Sequence, residues 1–244
     1  MYQNCIFDLY GTLIDIRTDE SGDKFWSDVA DIYCRNGAKY TADELRNYYH
    51  RYTDHESKVQ RFLHPNYKHI DIKLDRVFKR LYIRKGVFAK KETVADTAVK
   101  FRKASTQFIE LYDGVIDLLE SLKKAGKNIY LLSNAQRCFT YPEMCELGIV
   151  DYFDGILISS DCSCSKPQPQ FFERLLKRYH LKKDESIMIG NDCISDMLGA
   201  KKAGIDSLYI HQEISTPLEG KKLYCNYKIM DGDVTKIKSY LLNS

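Results

Sequence analysis

Polar side chains follow each of four short apolar runs in this 244-residue chain. In chain order they are Asp8, then Ser133 and Asn134, then Lys166, and finally Asn191, Asp192 and Asp196. Carboxylates, a hydroxyl and an ammonium group around one crevice can carry out substitution at a phosphoryl or acyl group with a divalent metal. Taken singly, these residues could be helix caps, turn residues and a solvated loop lysine. Their recurrence after successive apolar runs favours an active site.

The elements around these residues determine whether they can meet. Short apolar runs predict five strands, at residues 5–9, 128–132, 155–159, 186–189 and 207–211. Apolar residues at helical spacing separate the later strands, for example Val115, Leu118, Leu119 and Leu122. Strands that alternate with helices predict an α/β fold with a parallel sheet covered on both faces. Because the carboxyl ends of parallel strands share one edge, the four polar clusters should converge there.

The segment from Ile16 to Leu111 has a different character. It is charged, rich in tyrosine and without β-branched runs, and Pro65 interrupts its middle. Apolar residues recur in it at helical spacing, at Trp26, Val29, Ile32, Tyr33, Val77, Leu81, Tyr82, Val94, Ala98, Phe101 and, less regularly, Phe108 and Leu111. We predict an all-helical domain at 16–111, inserted into a core domain made of 1–15 and 112–244. Such an insertion would leave a ligand cleft over the strand ends.

Composition narrows the classes of partner. The net charge is only +3 with 29% charged residues, so nothing points to nucleic acid or an anionic membrane as a partner. No apolar run reaches the ~20 residues of a bilayer span, and no export signal is visible, so we expect a cytoplasmic protein. The 8 cysteines are scattered without CxxC spacing, and we expect them to be reduced thiols. The sequence makes no prediction of the oligomeric state.

Four motifs resemble those of the haloacid dehalogenase superfamily of aspartyl-nucleophile hydrolases, and the resemblance covers nearly the whole length. They are, in order, "FDLYGTLID" from Phe7, "YLLSN" from Tyr130, "SKPQPQFF" from Ser165 and "IGNDCISDMLGAKKAG" from Ile189. The resemblance implies a Rossmann-like three-layer core around a parallel sheet. The insertion after the first motif resembles the helical cap of that family.

The resemblance also implies a role for each motif residue. Asp8 would be the nucleophile that forms a covalent aspartyl intermediate. Thr12, with nearby backbone N–H groups such as that of Gly11, would hold the transferring group. Ser133 and the amide of Asn134 would bind substrate oxygens, and Lys166 would neutralise the nucleophile and an anionic small-molecule substrate. The implied cofactor is Mg²⁺, held by Asp8, the carbonyl of Tyr10 and side chains drawn from Asn191, Asp192 and Asp196.

Two positions depart from the pattern of family phosphatases. The residue after Gly190 is usually acidic but is Asn191 here, which leaves open which of Asn191, Asp192 and Asp196 contacts the metal and which orients Lys166. Tyr10 stands where those phosphatases have an aspartate that serves as acid and base. A phenol has an unperturbed pKa of about 10, so it could donate a proton but would be a poor base.

Three functions are compatible with this combination of residues. Asp192 and Asp196 favour a Mg²⁺-dependent phosphatase of a small phosphorylated metabolite. Tyr10 favours a metal-independent 2-haloacid dehalogenase, because halide leaves without a proton. The missing acid also permits a weak or inactive form of the fold that binds a ligand or partner. The resemblance as a whole favours the phosphatase.

Overall fold

The computed structural model describes residues 2–242 and contains a six-stranded parallel sheet and a separate two-stranded ribbon. The strands are β1 (Asn4–Phe7), β2 (Ile14–Thr18), β3 (Thr106–Leu111), β4 (Asn128–Ser133), β5 (Gly155–Ile158), β6 (Ser186–Gly190), β7 (Asp206–Ile210) and β8 (Tyr227–Ile229). The sheet order is β5-β4-β1-β6-β7-β8, with every pair parallel. The five strands predicted from the sequence are confirmed, whereas β8 was missed.

The α-helices are α1 (Asp23–Arg35), α2 (Ala42–Leu63), α3 (Leu74–Arg84), α4 (Lys91–Ser105), α5 (Val115–Lys124), α6 (Arg137–Glu146), α7 (Ser159–Cys162), α8 (Pro169–Tyr179), α9 (Gly199–Ala203) and α10 (Ile237–Leu242). A π-helical turn at Cys193–Leu198 precedes α9. Among the described residues, no helix is long and apolar enough to cross a membrane.

Side chains on the central strands alternate between two apolar layers. In β1, Cys5 and Phe7 face a cluster that contains residues of α5, α6 and α10, while Ile6 faces one that contains α8 and α9. The alternation follows from the two-residue period of a strand. Burial on both faces requires continuously apolar strands, and all four residues of β1 are buried. The prediction of a three-layer core is confirmed.

The segment between β2 and β3 folds as four helices, α1 to α4, around an aromatic cluster of its own. Pro65 lies in the loop between α2 and α3, so it does interrupt the helical segment, as predicted. We call residues 19–105 the cap. The buried residues of this cluster include Phe139 of α6, which belongs to the core domain. The cap therefore packs against α6.

The expectation that the insertion is helical throughout was wrong at its two ends. β2 and β3 form an antiparallel ribbon, with Ile14 opposite Leu111 and Ile16 opposite Ile109. Phe108 and Leu111, read as a weak continuation of the helical pattern, lie in β3. The two strands of the ribbon are the two connections between core and cap. Each strand pairs with one almost a hundred residues away in the chain, so no local spacing in the sequence reveals the pairing.

Candidate active site

The carboxyl edge of the sheet brings together two of the predicted polar groups. β1 lies between β4 and β6, with Phe7 opposite both Leu131 and Ile189. Asp8 continues the line of β1, because its N–H donates to the carbonyl of Ile189 at 2.9 Å. Ser133 ends the neighbouring strand β4. These groups therefore lie side by side at the point where the sheet order reverses, which is where open α/β sheets bind ligands.

Lys166 joins two of the predicted carboxylates. Its Nζ lies 2.6 Å from Oδ1 of Asp8 and 2.7 Å from Oδ1 of Asp196. Lys166 is only 3% exposed and Asp196 is fully buried. Burial alone would lower the pKa of Lys166, but the charges of Asp196 and Asp8 outweigh it and raise that pKa. Lys166 is therefore a fixed positive charge against Asp8, and Asp196 orients it.

Asp196 has a second anchor beyond Lys166. Its Oδ2 accepts a hydrogen bond from the backbone N–H of Asp192 at 2.9 Å. A Cβ at Gly190 would lie 2.4 Å from the same oxygen, so only glycine leaves room for this carboxylate. Burial, together with the charge of Asp8, raises the pKa of Asp196, while Lys166 opposes the shift. The carboxylate of Asp196 is therefore fixed by Lys166, by the N–H of Asp192 and by the close approach of Gly190.

Asp192 has a different task from Asp196. Its Oδ1 accepts from the N–H groups of Ile194 and Ser195, at 2.9 and 2.6 Å, which makes it the N-cap of the π-helical turn. Its Oδ2 accepts from the hydroxyl of Thr216. Burial tends to raise the pKa of Asp192, but these hydrogen bonds lower it below its ordinary value. Both oxygens of this predicted metal ligand are therefore engaged in holding the chain.

Asn191 faces the loop that follows Asp8. Its Oδ1 lies 3.4 Å from the hydroxyl of Thr12, and its Nδ2 donates to Ser215 at 3.3 Å. Gly11 has a φ of +76°, and a Cβ there would come within 2.2 Å of Nδ2 of Asn191. Glycine is thus required at position 11 both by the left-handed backbone and by this close approach.

Ser133 and Asn134 are placed for different roles. The hydroxyl of Ser133 is buried and, within the described part of the chain, has no hydrogen-bond partner. A buried hydroxyl without a partner is costly unless a ligand completes it. The side chain of Asn134 instead bonds both backbone groups of Lys166, accepting from its N–H at 2.8 Å and donating to its carbonyl at 3.0 Å. Sequence reasoning missed this brace, because the contact spans two loops.

The hydroxyl of Tyr10 points to helix α6. It donates to Oε2 of Glu143 and lies 3.0 Å from Oγ1 of Thr140. Burial and the charge of Glu143 raise the pKa of Tyr10 far above its ordinary value. Neither Thr140 nor Glu143 was among the predicted site residues, and no motif marked them. Arg102 of the cap completes the group, with its Nε 2.6 Å from Oε1 of Glu143.

A cap segment, residues 67–73, closes over the loop that carries Lys166. The side chain of Gln168 accepts from the N–H groups of Lys68 and His69, at 2.6 and 3.2 Å. His69 in turn accepts through its carbonyl from the N–H of Ser165 at 3.1 Å. Asp8 is left only 9% exposed. Residues 67–73 therefore join the cap to the loop that carries Lys166.

The donor atoms that the family resemblance implies for a metal suit Mg²⁺ in kind. They are all oxygens, namely the carboxylate of Asp8, the carbonyl of Tyr10 and the amide oxygen of Asn191, and Mg²⁺ takes oxygen ligands while keeping several waters. The set carries little charge. Among the described residues, no three His, Cys, Asp or Glu side chains are grouped so that they could hold a metal ion. An all-oxygen set of this kind suits Mg²⁺ and would not suit a structural zinc ion, which takes Cys and His ligands.

Comparison with known proteins gives a consistent family. The model of the haloacid dehalogenase-like hydrolases matches residues 2–204. The chain is 27% identical over 143 residues to a glyceraldehyde 3-phosphate phosphatase of Methanothermobacter thermautotrophicus, covering 58% of this chain and 62% of that protein. It is 32% identical over 114 residues to a phosphoglycolate phosphatase of Nitrosococcus oceani, covering 42% of this chain and 50% of that protein. The matches thus span only about half to three fifths of these relatives.

Among solved structures, the magnesium-bound HAD-hydrolase YfnB of Bacillus subtilis matches with a TM-score of 0.57 and 18% identity. The match covers 99% of each chain, so it extends over both the core and the cap. At this identity the likeness concerns the fold.

Proposed function

Because the chain belongs to the haloacid dehalogenase-like hydrolase family, we propose that it is a phosphatase of small phosphorylated metabolites and that Asp8 is its nucleophile. The observation that carries the proposal is the buried Asp8–Lys166–Asp196 group, with Lys166 at 2.6 and 2.7 Å from the two carboxylates. A lysine held in this way places positive charge beside Asp8 and beside the oxygens of an incoming phosphate. The phosphatase names of the curated relatives support this substrate class.

The proposed reaction has two displacements at phosphorus. A carboxylate oxygen of Asp8 forms a bond to phosphorus while the bond to the leaving oxygen breaks, and that oxygen takes a proton from water. A second water then attacks the aspartyl phosphate, which releases inorganic phosphate and regenerates the carboxylate. Lys166 offsets the charge of the transferring group, and the unpartnered hydroxyl of Ser133 donates to one of its oxygens. The N–H groups of Gly11 and Thr12, expected from the sequence to hold the transferring group, donate instead to the carbonyls of Ile14 and Leu9, at 2.8 and 3.2 Å.

Mg²⁺ is the cofactor that we propose for this site. When bound, it would add positive charge beside the phosphate oxygens and the carboxylate of Asp8. Asp8, the carbonyl of Tyr10 and the amide oxygen of Asn191 would hold it. Of the other predicted ligands, Asp192 caps the π-helical turn and Asp196 pairs with Lys166, so both would act on the metal only through the residues that they position.

A dehalogenase remains the second candidate function, and the surroundings of Tyr10 are the observation that favours it. The hydroxyl of Tyr10 is hydrogen-bonded to Glu143, and burial raises its pKa, so it would not serve as an acid for a leaving alkoxide. A halide needs no such acid. A protein that binds a ligand without turning it over is the third candidate.

Product release separates the three candidates. Phosphate should be released from p-nitrophenyl phosphate and from a panel of three-carbon and two-carbon phosphate esters, and Mg²⁺ should increase the rate. Asp8→Asn should lower that rate by about a thousandfold or more, because it removes the nucleophile. Asp184→Asn, at the opposite end of β6 and exposed, is the matched control and should keep the wild-type rate.

Other products would redirect the assignment. Chloride released from 2-chloropropionate without metal, in place of phosphate, would identify a dehalogenase. If wild type and Asp8→Asn are equally inactive on both substrate types, the enzymatic proposals fail and a binding role is left.

A further inference from the structure

We propose that Tyr10 is a positioning residue that ties the loop after Asp8 to the cap, through Glu143 and Arg102. These three residues are called the hinge triad below. The inference concerns a coupling that the reaction itself does not require. Its kinetic consequence rests on the proposed function, whereas the coupling can be measured without any turnover.

The first link joins Tyr10 to Asp8 through a rigid loop. Leu9 accepts through its carbonyl from the N–H groups of Thr12, Leu13 and Ile14, at 3.2, 2.8 and 3.0 Å. The N–H of Gly11 donates to the carbonyl of Ile14 at 2.8 Å. These four backbone hydrogen bonds all lie within residues 9–14, so the loop should move as one body. A displacement of the Tyr10 ring is therefore passed on to Asp8, two residues away.

The second link joins Tyr10 to the cap through Glu143. One oxygen of Glu143 accepts from the hydroxyl of Tyr10, and the other accepts from Nε of Arg102 at 2.6 Å. The side chains of Arg102 and Glu143 are only 15% and 9% exposed. The guanidinium also lies 5.6 Å from the ring centre of Tyr10. Separating Glu143 from Arg102 would leave two desolvated charges unpaired, and separating it from Tyr10 would remove a hydrogen bond from the same carboxylate.

The third link is the position of Arg102 in the cap. It lies in the last turn of α4, just before the chain returns to the core through β3. Its carbonyl accepts from the hydroxyls of Ser105 and Thr106, at 2.9 and 2.7 Å, which fixes the end of the helix. Arg102 therefore moves with the end of α4, where the cap joins β3. Any rotation of the cap pulls on Glu143 and, through it, on the loop that holds Asp8.

A neighbouring ion pair provides a matched comparison. Lys103, the next residue of α4, pairs with Glu146, the next turn of α6, at 2.7 Å. Both side chains are more than half exposed, at 62% and 55%, and neither contacts Tyr10. The pair joins the same two helices without reaching the loop. It should therefore contribute little to the coupling.

Hydrogen exchange of the loop amides tests the coupling in the full-length protein. Arg102→Ala should speed exchange at residues 11–14 by about tenfold or more, since it removes the cap residue that holds Glu143, the acceptor of the Tyr10 hydroxyl. Tyr10→Phe should have a similar effect, and adding Arg102→Ala to it should change nothing further. Lys103→Ala should leave these amides as in the wild type. If Arg102→Ala unfolds the cap, Arg102→Lys provides a milder version with the same expected direction.

Two outcomes would overturn the proposal. One is wild-type exchange of residues 11–14 in the Arg102 variants. The other is a full additional effect of Arg102→Ala in the Tyr10→Phe background, because the two residues would then act independently.

A kinetic split distinguishes this proposal from the proposed function. If the wild type releases phosphate, Tyr10→Phe and Arg102→Ala should lower kcat by about tenfold and leave KM within about twofold, because a misplaced nucleophile slows the chemical step. Equal kcat in these variants and the wild type would count against the positioning role. If the wild type releases no phosphate, the proposed function fails, and the exchange measurements alone decide the coupling.

Discussion

Asn191 and Asp192 are neighbours in the chain, yet they face in different directions with different partners. The neutral amide of Asn191 meets the loop after Asp8, through Gly11 and Thr12. The carboxylate of Asp192 turns away to the start of the π-helical turn and to Thr216. The residue with the charge is thus held apart from the residue in the proposed metal position. The proposed metal position at Asn191 therefore lacks the negative charge that an acidic residue would supply there.

Asn191→Asp should therefore strengthen Mg²⁺ binding by at least about tenfold. The substitution replaces an amide oxygen by a carboxylate of almost the same shape, and attraction between unit charges a few ångströms apart exceeds 1 kcal/mol even with strong screening. Ser215 can donate to the new oxygen in place of accepting from Nδ2. Calorimetric titration with MgCl₂ gives the affinity. Asn47→Asp, exposed on α2, adds the same charge elsewhere and should leave the affinity unchanged.

At the scale of the element, the π-helical turn after β6 positions Lys166, although the two are separated along the chain. The turn begins at the N-cap Asp192 and contains Asp196, whose carboxylate pairs with the lysine. The six residues of the turn bring the carboxylate of Asp196 against the backbone of Gly190, at the end of β6. π-Helical turns are rare, and they occur frequently at functional sites.

Asp192→Ala should destabilise the protein by about 0.5–2 kcal/mol, the usual cost of losing an N-cap. In a chain of this size each kcal/mol lowers Tm by about 2–4 °C. Mg²⁺ affinity should change much less than in the Asn191 variant, because Asp192 is not proposed as a direct ligand. Thermal unfolding, with Thr216→Val as a partial version that removes one hydrogen bond, measures the effect. A collapse of Mg²⁺ affinity with unchanged Tm would make Asp192 a ligand after all.

Helix α6 is the second element whose role exceeds its place in the core. Its cap-facing residues are Gln136 at the N-cap, then Phe139, Glu143 and Glu146, a spacing that lines one face of a helix. Phe139 stacks on Phe101 of α4 with ring centres 5.9 Å apart. The helix therefore packs on both sides, on the core cluster through Met144 and on the cap cluster through Phe139.

Phe139→Ala should lower the free energy of unfolding by about 3–5 kcal/mol, since it removes a 94%-buried ring from a packed cluster (6% of its surface is exposed). The loss should appear first as unfolding of the cap in a urea titration followed by hydrogen exchange. Tyr141→Ala, on a face where the ring is 43% exposed, is the control and should cost no more than about 0.5 kcal/mol. Equal losses in the two variants would mean that α6 does not carry the cap.

At the scale of the whole molecule, the cap is held to the core on two sides. The ribbon and α6 form one side, and residues 67–73 form the other. On that second side Asp71 accepts from Nε2 of Gln136 at 3.0 Å and from the hydroxyl of Ser159. Burial raises the pKa of Asp71, and its hydrogen bonds oppose the shift without cancelling it. A buried carboxylate therefore lies in the contact between the cap and the core.

Asp71→Asn should make stability less dependent on pH. Because the pKa of Asp71 is raised in the folded state, its contribution to stability is fully present below the unfolded value of about 3.9. That contribution is lost as the pH rises through the folded value. The variant carries no charge, so its stability relative to the wild type should grow from pH 4 to pH 7. Urea unfolding at several pH values measures the difference, with Asp184→Asn as the exposed control. A difference that stays constant or shrinks with rising pH would contradict the prediction.

The sequence by itself determined the core and the polar edge of its sheet. Apolar runs of strand length, separated by helical spacing, led to the parallel sheet, because burial on both faces demands that pattern. The same runs placed Asp8, Ser133 and the turn at Gly190 on one edge, since parallel strands end together. These inferences needed only local periodicity and a rule about strand ends.

Only the tertiary structure decided which polar group meets which. The choice between Asp192 and Asp196 as partner of Lys166 depended on the winding of one six-residue turn, which puts Asp196 against the lysine. The direction of Tyr10 depended on Glu143, more than a hundred residues away. The ribbon likewise pairs the two ends of the insertion. Such contacts leave no spacing in the sequence, because they arise where separate elements pack and a single rotamer or turn selects the partner.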